Sequence, residues 1–181
     1  MSVFTNPASS SKEQGKAYTS AIVELLGDRK PVDVLKRTEP ALRKAVKRLS
    51  PKQLSQREAP TKWSVKHVLQ HLADSELVWG WRLRMVLAHD RPPLTGYDQD
   101  LWAERLGYDT AKADQALDEF SVLRRSNLRL VTRASPEDLE RVGVHAERGD
   151  ESVAHMMRLY AGHDLLHLRQ IERISQSLRS T

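Results

Sequence analysis

Apolar residues recur at three- and four-residue steps along four long stretches of the chain, with turn residues between them. The last stretch, Met156–Leu178, contains no proline and predicts one amphipathic helix. Residues four apart on a helix stand one turn above each other. Tyr160, His163, His167 and Ile171 therefore fall in one column, with Met156 a turn earlier. Between Ser64 and about Ala88, the residues Val65, Val68, Leu69, Leu72, Trp79, Leu83 and Val86 form a core-facing stripe. Ser64 is placed to cap that helix, and Trp63 to pack on Val68 as a hydrophobic staple. A helix over about 110–133, capped by Asp109 or Thr110, turns Leu117, Phe120, Leu123, Leu128 and Val131 inward. Pro31 fits the first turn of the remaining stretch, which ends near Leu49 and which Pro40 kinks or splits.

Shorter elements fill the gaps. Residues 1–10 predict a disordered N-terminus. Ser10 with Glu13 resembles a capping box and Gly27 a stop, so a helical appendage occupies 11–30. Ser50-Pro51-Lys52-Gln53 and Ser135-Pro136-Glu137-Asp138 each open a short helix. A turn-rich piece, Gly143–Asp150, leads to the final helix with Asp150 as its cap, and no strand-like alternation is visible. Residues 89–109 are too long for a connection between adjacent antiparallel helices, which takes about 2–8 residues. They predict a crossover whose Tyr97, Trp102 and Tyr108 either cover a pocket mouth or only pin the loop. The expectation is an all-α chain, with a four-helix bundle over 31–181.

Composition narrows the chemistry more than the fold. With 39% hydrophobic and 29% charged residues the chain reads as an ordinary soluble domain, and no apolar run is long enough to span a membrane. The start carries no secretory pattern, so a cytoplasmic setting is expected. Zero cysteines exclude disulfides, thiolate zinc sites, iron–sulfur clusters and a cysteine nucleophile. The net charge of +5 raises nucleic acid as a partner. Its distribution argues against one: basic residues such as Arg82, Arg84, Arg124, Arg125 and Arg129 are interspersed with acidic ones and read as solvated helix faces.

Two imidazoles on successive turns can reach one metal ion. With His163 and His167 as such a pair, His71, beside the stripe of the middle helix, is the candidate third ligand. Three neutral imidazoles leave further positions to water or substrate, which suits a catalytic ion. Asp74, Asp164 and Gln170 are candidates to fix a ring nitrogen or take a proton. An all-imidazole set suits zinc or nickel foremost, with iron, manganese and copper also compatible. The run His163-Asp-Leu-Leu-His167 also resembles the H-E-x-x-H helix of zinc proteases. Its aspartate is one methylene short of the glutamate base, and no downstream third ligand stands in register.

The runs W-S-V-K-H-V-L-Q-H-L-A-D-S-E (Trp63–Glu76), Y-D-Q-D-L-W-A-E-R-L-G-Y (Tyr97–Tyr108) and G-H-D-L-L-H-L-R-Q-I (Gly162–Ile171), with F-x-x-L-R-x-x-N at Phe120–Asn127, resemble the DinB-like/YfiT-like superfamily. The resemblance covers about 35–178. It implies an up-down-down-up four-helix bundle, a divalent ion on His71, His163 and His167, and often a homodimer. His67 has no place in that triad and is expected to be exposed or to support the site from behind. The implied activities are metal-dependent hydrolysis and transfer using a low-molecular-weight thiol such as bacillithiol or mycothiol, on a small-molecule substrate. The non-enzymatic alternative is a dimeric bundle for binding or stress response, with a structural or vestigial metal.

Overall fold

The computed structural model describes residues 12–178; the expected disordered tail and the Ser10 cap lie outside them. Eight α-helices run through these residues: α1 (Lys12–Leu26), α2 (Pro31–Val46), α3 (Pro51–Ser55), α4 (Val65–Ala88), α5 (Gln99–Arg105), α6 (Ala113–Val131), α7 (Pro136–Glu140) and α8 (Val153–Ser177). Helices α2, α4, α6 and α8 form the bundle. Pro31 occupies the first turn of α2 as expected, and Pro40 lies within the helix without splitting it. Ser50 and Ser135 each close a full capping box, with Gln53 and Asp138 as reciprocal partners.

Two apolar clusters fix the helix directions. One holds Val34 and Leu35, Trp79 to Val86, Val131, and Val153 to Ala161. The other holds Leu42 and Leu49, Val65 to Ala73, Ala116 to Phe120, and Ile171 with Ile174. Thus α2 and α8 run one way while α4 and α6 run the other, giving up-down-down-up order. The parallel pair α4 and α6 needs the crossover. Its Pro93–Leu94 end lies near Val86, and its Asp109 end returns to the start of α4, where Lys66 donates to the Asp109 carbonyl.

Three expectations need correction. A small sheet exists, ordered β1-β2-β3 (Pro93–Leu94, Val142–His145, Gly149–Ser152), with β1 parallel to β2 and β2 antiparallel to β3. Strands of two to four residues are too short for alternation to register. Because β3 runs straight into α8, the cap is Ser152, whose hydroxyl accepts from the His155 amide; Asp150 instead pairs with Arg91. A 3₁₀ turn over Tyr108–Thr110 likewise moves the start of α6, leaving Lys112 at the cap position without a side-chain bond.

Candidate metal centre

Helix α4 delivers His71, and successive turns of α8 deliver His163 and His167. Their Nε2 atoms converge: His71 to His163 is 3.0 Å, and His163 to His167 is 3.0 Å. One ligand atom from each lies within 4.8 Å of the others. Burial, the largest cause in each case, holds the imidazoles neutral: His167 is pushed down to about 4, and His71 and His163 fall well below the ordinary range. The Gln170 Oε1 accepts the Nδ1–H of His167 at 2.7 Å, which turns that ring's Nε2 lone pair inward. A proton on His163 Nε2 can serve one neighbouring ring, not both. The Nδ1 of His71 is buried without a partner among the described residues. Crowded neutral nitrogens with an inward lone pair are a donor set that one cation resolves, so the residues present fit a divalent ion.

Around the rings, Trp63 stands 5.0 Å from His71 between ring centroids and Tyr160 stands 6.2 Å from His163. The Ser75 hydroxyl bridges from His71, at 3.5 Å, to the Tyr97 hydroxyl at 3.0 Å. A cleft opens beside His71 and His163, lined by Ser75, Tyr97, Tyr160 and α1 residues including Tyr18. The crossover aromatics divide their roles. Tyr97 lines the cleft with Trp102 packed on its ring at 4.5 Å, whereas Tyr108 is fully buried and donates to Asp74. Helix α1 reaches the cleft because α8 carries Gly162 there: a Cβ at that position would overlap the Ile22 carbonyl oxygen.

The other sequence candidates sit elsewhere. Asp74 accepts from Tyr108 and Gln70 and bonds to none of the three rings. Asp164, next to His163, faces the bundle interior, where both its oxygens accept from Arg124 at 2.6 and 2.9 Å and one also accepts from Thr38 at 2.7 Å. His67 is buried, not exposed, with its Nδ1 2.7 Å from the Ser64 hydroxyl. Ser64 therefore holds a side chain instead of capping α4.

Sequence reasoning missed two buried arginines. Arg124, 2% exposed, uses four of its N–H groups on Asp164, Glu76 and the Leu35 carbonyl, and lies over the Phe120 ring at 4.6 Å. Asn127 donates to both the backbone and the carboxylate of Glu76, completing a junction of all four bundle helices. Burial pushes the Glu76 carboxyl up against that pairing. Arg82, 4% exposed, lines the cleft. The F-x-x-L-R-x-x-N spacing was the available signal for Arg124 and Asn127; Arg82 had none.

The fold and the site together define an antiparallel-and-parallel helical bundle with three imidazoles converging at the mouth of a cleft. The chain belongs to the DinB superfamily, whose family model matches residues 35–171. A relative from Oceanobacillus iheyensis, named "Putative metal-dependent hydrolase", is 32% identical over 109 residues, 60% of this chain and 63% of the relative. A Bacillus cereus protein of the same name is 30% identical over 137 residues, 76% of this chain and 79% of its own. The chain thus aligns with less than two thirds of the first of these and more of the second. The fold is shared with YfiT from Bacillus subtilis, described as a probable metal-dependent hydrolase with an unusual four-helix bundle topology. That match has a TM-score of 0.77 and 23% identity, and covers 82% of this chain and 85% of that one.

Proposed function

We propose that this chain is a metal-dependent hydrolase of a small molecule, with His71, His163 and His167 holding one divalent ion through their Nε2 atoms. The observation that carries the reading is the crowding of three neutral imidazoles, buried His71 and His167 and half-buried His163, with Nε2 atoms at 3.0 Å steps beside an open cleft. The name of both relatives, "Putative metal-dependent hydrolase", supports the same reading. Zinc or nickel suits an all-imidazole set. When bound, such an ion supplies Lewis-acid polarisation and acidifies water.

The chain's own residues do the rest. Gln170 fixes the tautomer and tilt of His167, and Trp63 and Tyr160 shield the flanks of the ring cluster from water. Ser75 and Tyr97 present hydroxyls on the cleft side of His71, placed to orient a polar substrate group. Asp164 is committed to Arg124 and Thr38 and does not serve as base. The chain has no cysteine to act as nucleophile, and the metal reading takes it from outside: water for hydrolysis, or a small-molecule thiol if the reaction is a transfer.

Elemental analysis of the protein beside His71→Ala and His163→Ala tests the site. One equivalent of metal in the parent and its loss in both variants is expected, and both variants retaining it overturns the assignment. A panel of esters, lactones and amides, run with and without bacillithiol, then separates hydrolysis from thiol transfer.

A further inference from the structure

Arg82 is buried to 4% exposure and makes no ion pair among the described residues. A guanidinium has five N–H donors, and a buried charge without a counter-ion is costly. Few of those donors are satisfied. One donates to the Thr95 carbonyl, and another meets the Tyr160 hydroxyl at a long 3.4 Å. Its Nε–H has no partner among the described residues. The third neighbour, His145 Nε2 at 3.4 Å, gives no help. His145 Nδ1 accepts the Glu147 amide at 3.2 Å, so a neutral ring carries its proton on Nε2, and two donors face each other. Arg148, also on the cleft, differs: Glu151 bonds it directly twice, one bond being 3.0 Å, and acts on Arg82 only at longer range. Glu147 lies on the rim, exposed, and pairs with neither arginine.

Arg82 stands on α4 eleven residues after His71, close to three full helical turns, so both side chains leave the same face into the same cleft. We infer that the cleft takes a small molecule bearing an anionic group, a carboxylate or a phosphate monoester, and that Arg82 is the residue that binds it. The inference rests on the reading of the histidine cluster as the reacting centre, with the anion held farther along α4 from that end. Arg82 donates its free N–H groups to the anion, and the Tyr18 and Tyr97 side chains line the space between.

Isothermal titration of the chelator-treated full chain with phenyl phosphate, phenylacetate and the neutral phenylacetamide tests it. At least one of the two anions is expected to bind at least tenfold more tightly than the amide, and the tighter of the two assigns the anion class. Arg82→Gln is expected to lose at least tenfold in that affinity while still taking up one equivalent of zinc. Arg82→Lys, which keeps the charge without the fork, is expected to keep a preference for the anions and covers a glutamine variant that does not fold. Equal binding of all three probes by the parent protein, or unchanged anion binding by Arg82→Gln, overturns the inference. Metal-free protein that prefers the anions but never takes up zinc leaves this inference standing and defeats the metal reading. Zinc uptake without anion preference does the reverse.

Discussion

Two polar clusters lie inside this bundle, and they are built on opposite terms. Around Arg124, a buried cation meets two buried carboxylates, Glu76 and Asp164, to which Thr38 and Asn127 also donate. At the cleft, three neutral imidazoles share too few protons, and Arg82 makes no direct ion pair among the described residues, with Glu151 acting on it only at longer range. In the first cluster each charged group is paired with one of opposite sign and, although the Arg124 Nε–H has no partner among the described residues, no charged group is left unpaired for a ligand, so the cluster serves to hold helices together. An under-satisfied one is strained toward whatever completes it. His163 and Asp164 are adjacent in sequence yet belong to different clusters, because neighbours on a helix point about 100° apart.

The sharpest way to break this contrast is Arg124→Met. It strands two buried carboxylates and is expected to destabilise the fold by about 3–5 kcal/mol, read by urea unfolding. If the loss is under about 1 kcal/mol, the hub is not what joins the helices. His163→Ala is expected to abolish metal uptake while moving the metal-free melting temperature by no more than about 4 °C, about 1 kcal/mol for a chain this size.

Acid should separate the clusters next. In the folded, metal-free protein His167 titrates near 4, while the unfolded chain takes its protons near the ordinary histidine value of about 6.5. The unfolded state therefore binds more protons between those limits, so stability should be flat above about pH 6.5 and fall as the pH drops toward 4. His167→Gln should lessen that slope in chemical denaturation across the same range, the remainder coming from His71, His163 and His145, which burial also holds low. Gly162→Ala, which drives a methyl group into the α1 backbone, is expected to cost about 1–3 kcal/mol. Limited proteolysis should then cut α1 first and spare the bundle. The smallest effect expected is from Gln170→Ala, which leaves the ligands in place and should weaken zinc about 10- to 100-fold in competition with a chelating dye.

The sequence made the long helices legible because each buries one stripe, and the stripe leaves its period in the chain. It made the three histidines legible for the same reason: two are held by one helix and the third lies beside a stripe. Arg82 and Arg124 were hidden because charge in a helix pattern reads as solvent exposure. Their partners, on other elements and up to 89 residues away, reveal otherwise. The cap of α8 was misplaced by two residues because a four-residue strand runs into that helix, and so short a strand leaves no alternation to read.

The first helix carries a consequence of its own. It precedes residue 35, where the family match begins, yet supplies Tyr18 and Ile22 to the wall of the cleft. The bundle's own apolar clusters draw mostly on later helices, with Leu26 the contribution of α1. Selection can therefore rewrite that wall without disturbing the hub or the histidines. Chimaeras that exchange only this opening segment between relatives are the natural route to redirecting what the cleft accepts.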